Sequence, residues 1–309
     1  MKSIVVGTRK SPLALTQTEW VLAQLRKHYP ELEIGMEQIV TKGDRILDVT
    51  LSKVGGKGLF TKELEQAMYD GTVDFAVHSL KDMPNEMPEG LMIVAITHRE
   101  DPRDVLISRN GSKFEDLPIG AKVGTSSLRR SAQLRAARPD LEIVSLRGNI
   151  NTRLAKLEEQ QLDAIVLAAA GLERMGWGDK ITERLSPELC IPAVGQGALA
   201  IECRSKDEDV RQLLSVLEDP ATRKIITAER TVLGKLNGGC QIPIGAYAEF
   251  IGDDELRLTG IVGSADGSIL LRESATGHDP VALGTLIADR LIEKGAGAIL
   301  AQVREELNA

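Results

Sequence analysis

Two distant stretches of this chain share one local grammar, and that repetition constrains the fold more than any other feature. Residues 3–12, SIVVGTRKSP, run from a β-branched stretch through Gly7-Thr8 into Ser11-Pro12, a good N-cap and first-turn pair for a helix. Residues 122–130, KVGTSSLRR, repeat the pattern, with a short strand ending at Gly124-Thr125 and hydroxyl residues leading into a helix. A second echo follows each of them. Residues 64–77, LEQAMYDGTVDFAV, and residues 154–167, LAKLEEQQLDAIVL, both read as a helix, a turn and a strand introduced by an aspartate. Strands alternating with helices of this length predict mainly parallel sheets covered on both faces. The chain is therefore expected to hold two α/β domains of similar build with a cleft between them. The Gly-Thr turns fall at the carboxyl ends of the strands, where such sheets bind ligands.

The link between these halves is the charged, proline-broken stretch Thr97–Asp104. From about residue 220 the texture changes. A helical stretch, Ala221–Leu236, precedes strand-like segments at Ala246–Ile251, Glu255–Val262 and Ile269–Glu273, and further helices are expected over Pro280–Lys294 and Ala298–Glu306. Three antiparallel strands with helices on one side make a smaller α+β domain.

At 309 residues there is room for two or three domains, and 3% aromatic content leaves the core to aliphatic side chains. A net charge of −7 argues against a general nucleic-acid binder. The short apolar run at Ile4–Gly7 is broken at once by Thr8-Arg9-Lys10, too short for a signal-peptide core, and nothing approaches a membrane span. Three cysteines without close spacing imply neither a disulfide framework nor a metal site, so a cytoplasmic location is expected.

Against that acidic background the arginines are placed with a pattern. Helix starts offer free N–H groups to anions, and Arg9, Arg129 and Arg130 add planar forks suited to carboxylate or phosphate. Arg147 lies in the glycine-containing turn SLRGN, Arg153 in the next helix, and Arg174 follows Gly171-Leu172-Glu173. Residues 77–84, VHSLKDMP, open at the end of the Asp74-led strand, where the Asp82 carboxylate either forms a surface ion pair with Lys81 or stabilises a developing cation in the cleft. His78 reads as structural. Residues 53–60, KVGGKGLF, lack the spacing of a phosphate-binding Walker loop and suit a lid closing over a charged ligand. Cys240 sits in LNGGCQIPIG, a turn by its glycines and proline, whereas Cys190 and Cys203 lie in apolar runs and read as small buried hydrophobes. On its own, Cys240 is either a structural thiol in a tight corner or a reactive one.

The order of these segments over nearly the whole chain resembles the porphobilinogen deaminase family: GTRKSPLA at 7–14, residues 53–60, HSLKDMP at 78–84, GTSSLRR at 124–130, RGN at 147–149, PAVGQGA at 192–198 and GGCQ at 238–241. The resemblance implies a transferase that adds four porphobilinogen molecules, each losing ammonia, to a dipyrromethane cofactor held by a thioether on Cys240, then releases the linear tetrapyrrole by hydrolysis. It implies that Asp82 supports cationic intermediates and contacts pyrrole nitrogens. Lys81, Asp82, Thr125, Ser127, Arg129, Arg130 and Arg147 would hold the cofactor, and Arg9, Ser11, Gln17, Arg147, Arg153, Arg174 and Gln196 the substrate. Lys53, Gly55, Gly56, Lys57, Gly58 and Phe60 would form the lid, with no metal. The implied fold has two α/β domains like periplasmic binding proteins around a cleft, residues 1–98 with 198–215 and residues 103–191, plus an α+β domain over 220–309. A cytoplasmic monomer acting on a small molecule, away from nucleic acid and membrane, is expected. Two rivals are a solute-binding protein, which needs no glycine-flanked cysteine, and a cysteine hydrolase, which needs a base near Cys240 from among His28, His78, His98 and His278.

Overall fold

A computed structural model of the chain describes residues 2–45, 58–239 and 242–308. In chain order the first elements are β1 (Ser3–Arg9), α1 (Pro12–His28), β2 (Glu33–Ile39), α2 (Lys42–Arg45), α3 (Lys62–Tyr69), β3 (Phe75–Ser79) and β4 (Leu91–Ile96). Next come β5 (Asp104–Ser108), β6 (Lys122–Gly124), α4 (Leu128–Ala137), β7 (Glu142–Val144), α5 (Ile150–Glu159), β8 (Ala164–Ala168), α6 (Ala169–Arg174) and β9 (Glu183–Arg184). The chain continues through β10 (Leu199–Arg204), α7 (Glu208–Leu214), α8 (Pro220–Lys235), β11 (Ile244–Phe250), β12 (Leu256–Gly263), β13 (Leu270–Gly277), α9 (Pro280–Glu293) and α10 (Ala296–Asn308).

The chain divides into two compact units, and the first takes back residues 197–223 after the second has begun at residue 101. In the first unit the sheet order is β2-β1-β3-β10-β4, with β2, β1 and β3 parallel and β10 antiparallel to both its neighbours. Successive residues of β3 face opposite layers, as the two-residue period of a strand requires. Phe75 and Val77 pack with Val21, Leu22 and Leu25 of α1, and Ala76 packs with Leu64 and Met68 of α3. Gly197 turns the chain into β10 at φ +96, with the Glu100 carbonyl so close that no Cβ fits.

The second unit repeats the plan in the order β7-β6-β8-β5-β9, again with three parallel strands and an antiparallel fourth, β5. Val105, Ile107, Ile165 and Leu167 face α5 and α6 through Leu157 and Leu172, while Leu106, Val123, Ala164 and Val166 face Leu134 of α4. So the duplicated, mainly parallel α/β plan is present, but each sheet contains one reversed strand. Helix–strand alternation does not signal that strand, because neither β5 nor β10 belongs to a local βαβ unit.

The second unit also contains the antiparallel sheet β11-β12-β13, the third sheet expected from the sequence. One face packs on α8, α9 and α10 through Val232, Ile287, Leu291 and Leu300. β13 alternates between more and less exposed positions, the pattern of a strand with one solvated face.

Candidate active site

In the first unit, β1 and β3 are parallel neighbours, so the segments that follow them leave the same edge of the sheet. After β1, Ser11 caps α1 by accepting from Ala14 N at 3.3 Å, with Pro12 at the first helical position. After β3, a 3₁₀ turn over Leu80–Asp82 carries Lys81 and Asp82, both half-buried. The buried Leu80 side chain and a bond from Leu80 N to the Ala198 carbonyl, 3.0 Å, anchor that turn to β10. Gln17 crosses from α1 and donates from Nε2 to Ser79 Oγ at 3.0 Å. Arg9, Ser11, Gln17, Lys81 and Asp82 thus share one sheet edge. Phe60 lies there too, its ring centroid 4.3 Å from the Arg9 guanidinium carbon, and Gly58 precedes it at φ +82. Lys53, Gly55, Gly56 and Lys57 lie outside the described residues.

His78 points the other way. Its Nε2 lies 2.9 Å from Glu202 Oε2, both side chains buried, without hydrogen-bond alignment. Glu65 joins this buried group, and burial raises its carboxyl above the ordinary value, with the Glu202 charge adding to the effect. This is a structural cluster between β3, β10 and α3, in keeping with the structural reading of His78.

In the second unit the parallel trio β7-β6-β8 brings three segments to one edge. Thr125, Ser126 and Ser127 follow β6; Ser145–Asn149 follow β7; α6, which ends at Arg174, follows β8. Ser126 ties two of these together, donating to the Leu146 carbonyl at 2.8 Å, accepting from Leu146 N at 2.9 Å and lying 3.0 Å from Ser145 Oγ. Ser127 caps α4, accepting from Arg130 N at 3.4 Å, and Thr125 Oγ1 accepts from Ser127 N at 3.2 Å. Asn149 caps α5 through Thr152 N at 2.9 Å, and Arg153 Nε donates to the Gly148 carbonyl at 2.8 Å. Arg147 is half-buried, and that burial lowers its pKa.

Arg129 and Arg130 turn into the protein rather than outward. Arg129 Nη1 donates to Asp104 Oδ2 at 2.7 Å and to the Ile191 carbonyl. Arg130 grips Asp104 Oδ1 through Nε at 3.1 Å and Nη2 at 2.7 Å, and reaches the Val166 carbonyl at 2.9 Å. Gln196 joins them, donating to the same Asp104 oxygen at 2.9 Å and to the Pro102 carbonyl at 2.7 Å. Burial alone would raise the Asp104 carboxyl, but the charges of Arg129 and Arg130 outweigh it and hold the group far below the usual carboxylate range. Cys190 is buried in an apolar cluster, as its sequence context implied, but also borders the Asp104 network. Its thiol donates to Asp104 at 3.3 Å, and burial together with the Asp104 charge pushes its pKa up to about 12. Burial pushes the Cys203 thiol up to about 11. Cys240 lies outside the described residues.

Reading the sequence missed three polar anchors, Asp104, Asp44 and Glu229. Asp104 heads the apolar strand β5, a position where a buried carboxylate demands cations, and that was the available signal. Glu229 is buried and accepts from Gly195 N and Ala248 N at 2.9 Å each, fixing the glycine-rich stretch that leads to Gly197.

With this geometry in place, comparison with known proteins decides the family. A profile described as "Porphobilinogen deaminase, dipyromethane cofactor binding domain" matches residues 4–212, and "Porphobilinogen deaminase, C-terminal domain" matches 224–293. The chain belongs to the porphobilinogen deaminase family. Among family relatives, the porphobilinogen deaminase of Brevibacillus brevis is 58% identical over 301 residues, covering 97% of each chain. That of Bacillus cereus strain AH187 is 57% identical over 99% of each chain, and that of Halalkalibacterium halodurans 54% over the full length of both. Among solved structures, a probable amino-acid ABC transporter extracellular-binding protein from Bacillus subtilis is similar at a TM-score of 0.42 with 13% identity, over 70% of this chain and 90% of that one.

Proposed function

We propose that Asp82 is the catalytic carboxylate of a porphobilinogen-polymerising transferase and that the arginine-lined strand ends bind the acidic side chains of cofactor and substrate. The chain is a hydroxymethylbilane synthase by family: it condenses porphobilinogen units, with loss of ammonia, into the linear tetrapyrrole on a covalent dipyrromethane and releases the product by hydrolysis. The donor set of the second unit suits a dipyrromethane bearing carboxylates. Hydroxyls of Thr125 and Ser127, the start of α4 and the half-buried Arg147 are all donors to carboxylate oxygen. When bound, the dipyrromethane supplies the pyrrole carbon that attacks the first substrate. Cys240 is the residue assigned to hold it, with Thr125, Ser127 and Arg147 as contacts in the second unit, where the forks of Arg129 and Arg130 are taken by Asp104.

The observation that carries the reading is the short turn bearing Asp82, anchored through Leu80 at the sheet edge that also bears Arg9, Ser11 and Gln17. A carboxylate held in place before substrate arrives stabilises the cation that develops on the substrate methylene as ammonia leaves, with no reorganisation of its own. Arg9, Ser11 and Gln17 orient incoming substrate from the first unit. Arg153, Arg174, Arg147 and Gln196 serve the growing chain from the second, with Gln196 acting through Asp104. The three-domain division, 1–98 with 198–215, 103–191 and 220–309, is part of this reading and is supported by three sheets with separate apolar cores. So are a cytoplasmic location, which the free thiols of Cys190 and Cys203 suit, the absence of nucleic-acid binding, which the net charge of −7 suits, and a monomeric state.

Asp82→Asn tests the reading. Removing one preorganised electrostatic group costs about 10²–10³ in turnover. The variant is expected to keep its fold and cofactor mass while losing that much activity, and Asp82→Glu to retain more. Turnover of Asp82→Asn within a few-fold of wild type would exclude the assigned role.

A further inference from the structure

We infer that Asp44 is a positioning residue for the reaction, one that sets the fork of Arg9 before substrate binds. The inference rests on Arg9 serving substrate carboxylates, as proposed above. β1 and β2 pair in parallel with Arg9 opposite Ile39, so the segments after them emerge side by side although Asp44 lies 35 residues from Arg9. Asp44 takes the side-on edge of the guanidinium, accepting from Nε at 3.3 Å through Oδ2 and from Nη2 through Oδ1. The flat face of the same guanidinium lies over Phe60. Among the described residues the Arg9 guanidinium hydrogen-bonds only to Asp44, so the end-on edge formed by Nη1 and Nη2 is the one left to a ligand. A guanidinium has two bidentate edges, and committing one to a fixed carboxylate aims the other.

Asp44 can do this because it is itself held. Thr41 and Asp44 form a reciprocal cap at the start of α2: Thr41 N donates to Asp44 Oδ2 at 3.2 Å, Thr41 Oγ1 donates to the same oxygen at 2.8 Å, and Asp44 N donates to Thr41 Oγ1 at 3.3 Å. Gly43 lies against the Phe60 ring with no room for a Cβ, and its N–H donates to the Leu59 carbonyl at 2.9 Å. The carboxylate, the ring and the guanidinium are thus locked to one another through short backbone segments. Burial would raise the Asp44 carboxyl, but hydrogen bonding and charge from Arg9 hold it below its ordinary value, so it stays ionised at neutral pH. A carboxylate anchored by its own backbone is poorly placed to leave when a ligand arrives. That favours positioning over competition with substrate for the same edge.

Asp44→Asn, Arg9→Leu and the double variant decide it, each checked for cofactor mass and melting temperature. A clamp misplaced by about 1 Å can cost up to about 10² in kcat/KM, and because Arg9 holds substrate carboxylates rather than the reacting carbon, Asp44→Asn is expected to raise the KM for porphobilinogen roughly tenfold with kcat little changed. The melting temperature should hold, Asp44→Glu should recover part of the loss, and adding Asp44→Asn to Arg9→Leu should cost nothing more. Wild-type kinetics in Arg9→Leu would remove the role of Arg9 itself. An impaired Arg9→Leu beside a normal Asp44→Asn, additive effects in the double variant, or a lowered KM in Asp44→Asn would overturn the inference about Asp44 alone.

Discussion

Replacing Asp104 by asparagine removes the one counter-charge that, among the described residues, the buried pair Arg129 and Arg130 share. The side chains are 6%, 7% and 0% exposed for Arg129, Arg130 and Asp104, so water cannot take over the lost interaction. Breaking a buried ion pair by removing one partner costs about 3–5 kcal/mol, because an uncompensated charge stays behind. At about 2–4 °C per kcal/mol for a domain of 150–250 residues, the second unit should melt roughly 6–20 °C lower. Scanning calorimetry of the loaded enzyme at neutral pH reads this directly, and intact mass reports cofactor content alongside. The pH dependence gives an independent check. The folded-state pKa of Asp104 is depressed, so its stabilisation is fully present above the ordinary carboxylate value near 4 and fades as pH falls towards the lower folded value. The gap between wild type and variant should be constant from about pH 8 to 5 and narrow below about pH 4. A melting shift under about 3 °C, or a gap that widens in acid, would refute the argument that Asp104 neutralises these arginines.

Two further outcomes follow from the same structure. Cys240→Ala should yield inactive protein lacking the dipyrromethane mass, whereas Cys190→Ala and Cys203→Ala should stay loaded, since their thiols are buried with pKa values near 12 and 11; peptide mass mapping that finds the adduct on either would sink the assignment. His78→Ala removes a buried imidazole 2.9 Å from Glu202 and should lower the melting temperature of the first unit while the folded fraction turns over within a few-fold of wild type; a hundredfold loss per folded molecule would make His78 part of the chemistry instead.

What could be read from the sequence was local. Ser11 and Ser127, read as a cap and as a hydroxyl leading into a helix, each bond the N–H three residues on; Asn149 does the same without having been read as a cap. Gly124-Thr125 closes the parallel strand β6, whereas Gly7-Thr8 lies within β1, which runs on to Arg9, and the three-stranded tail follows from its turns and alternation. What could not be read depends on pairings between distant segments. β5 and β10 enter sheets whose other strands are encoded elsewhere, and nothing in LAIECR at 199–204 says that it will run antiparallel between β3 and β4. Arg129 and Arg130 show the cost of that blindness. An arginine at a helix start looks the same in sequence whether it waits for a ligand or neutralises a buried aspartate 25 residues earlier, and only burial separates the cases.

The two readings of those arginines are nevertheless compatible by charge. Two guanidinium groups face one carboxylate, and the neighbouring Cys190 thiol, with its pKa near 12, contributes no negative charge at neutral pH. One positive charge is therefore left over in a poorly hydrated place, where an unpaired ion is costly. A carboxylate arriving at Thr125 and Ser127, at the capped start of the helix that carries both arginines, would be drawn by that surplus and by the helix dipole together. Whatever binds the native state alone stabilises it. So, among the described residues, the same Asp104 that occupies the arginine forks also lowers the cluster from two positive charges to one, a surplus that a carboxylate at the start of α4 would offset.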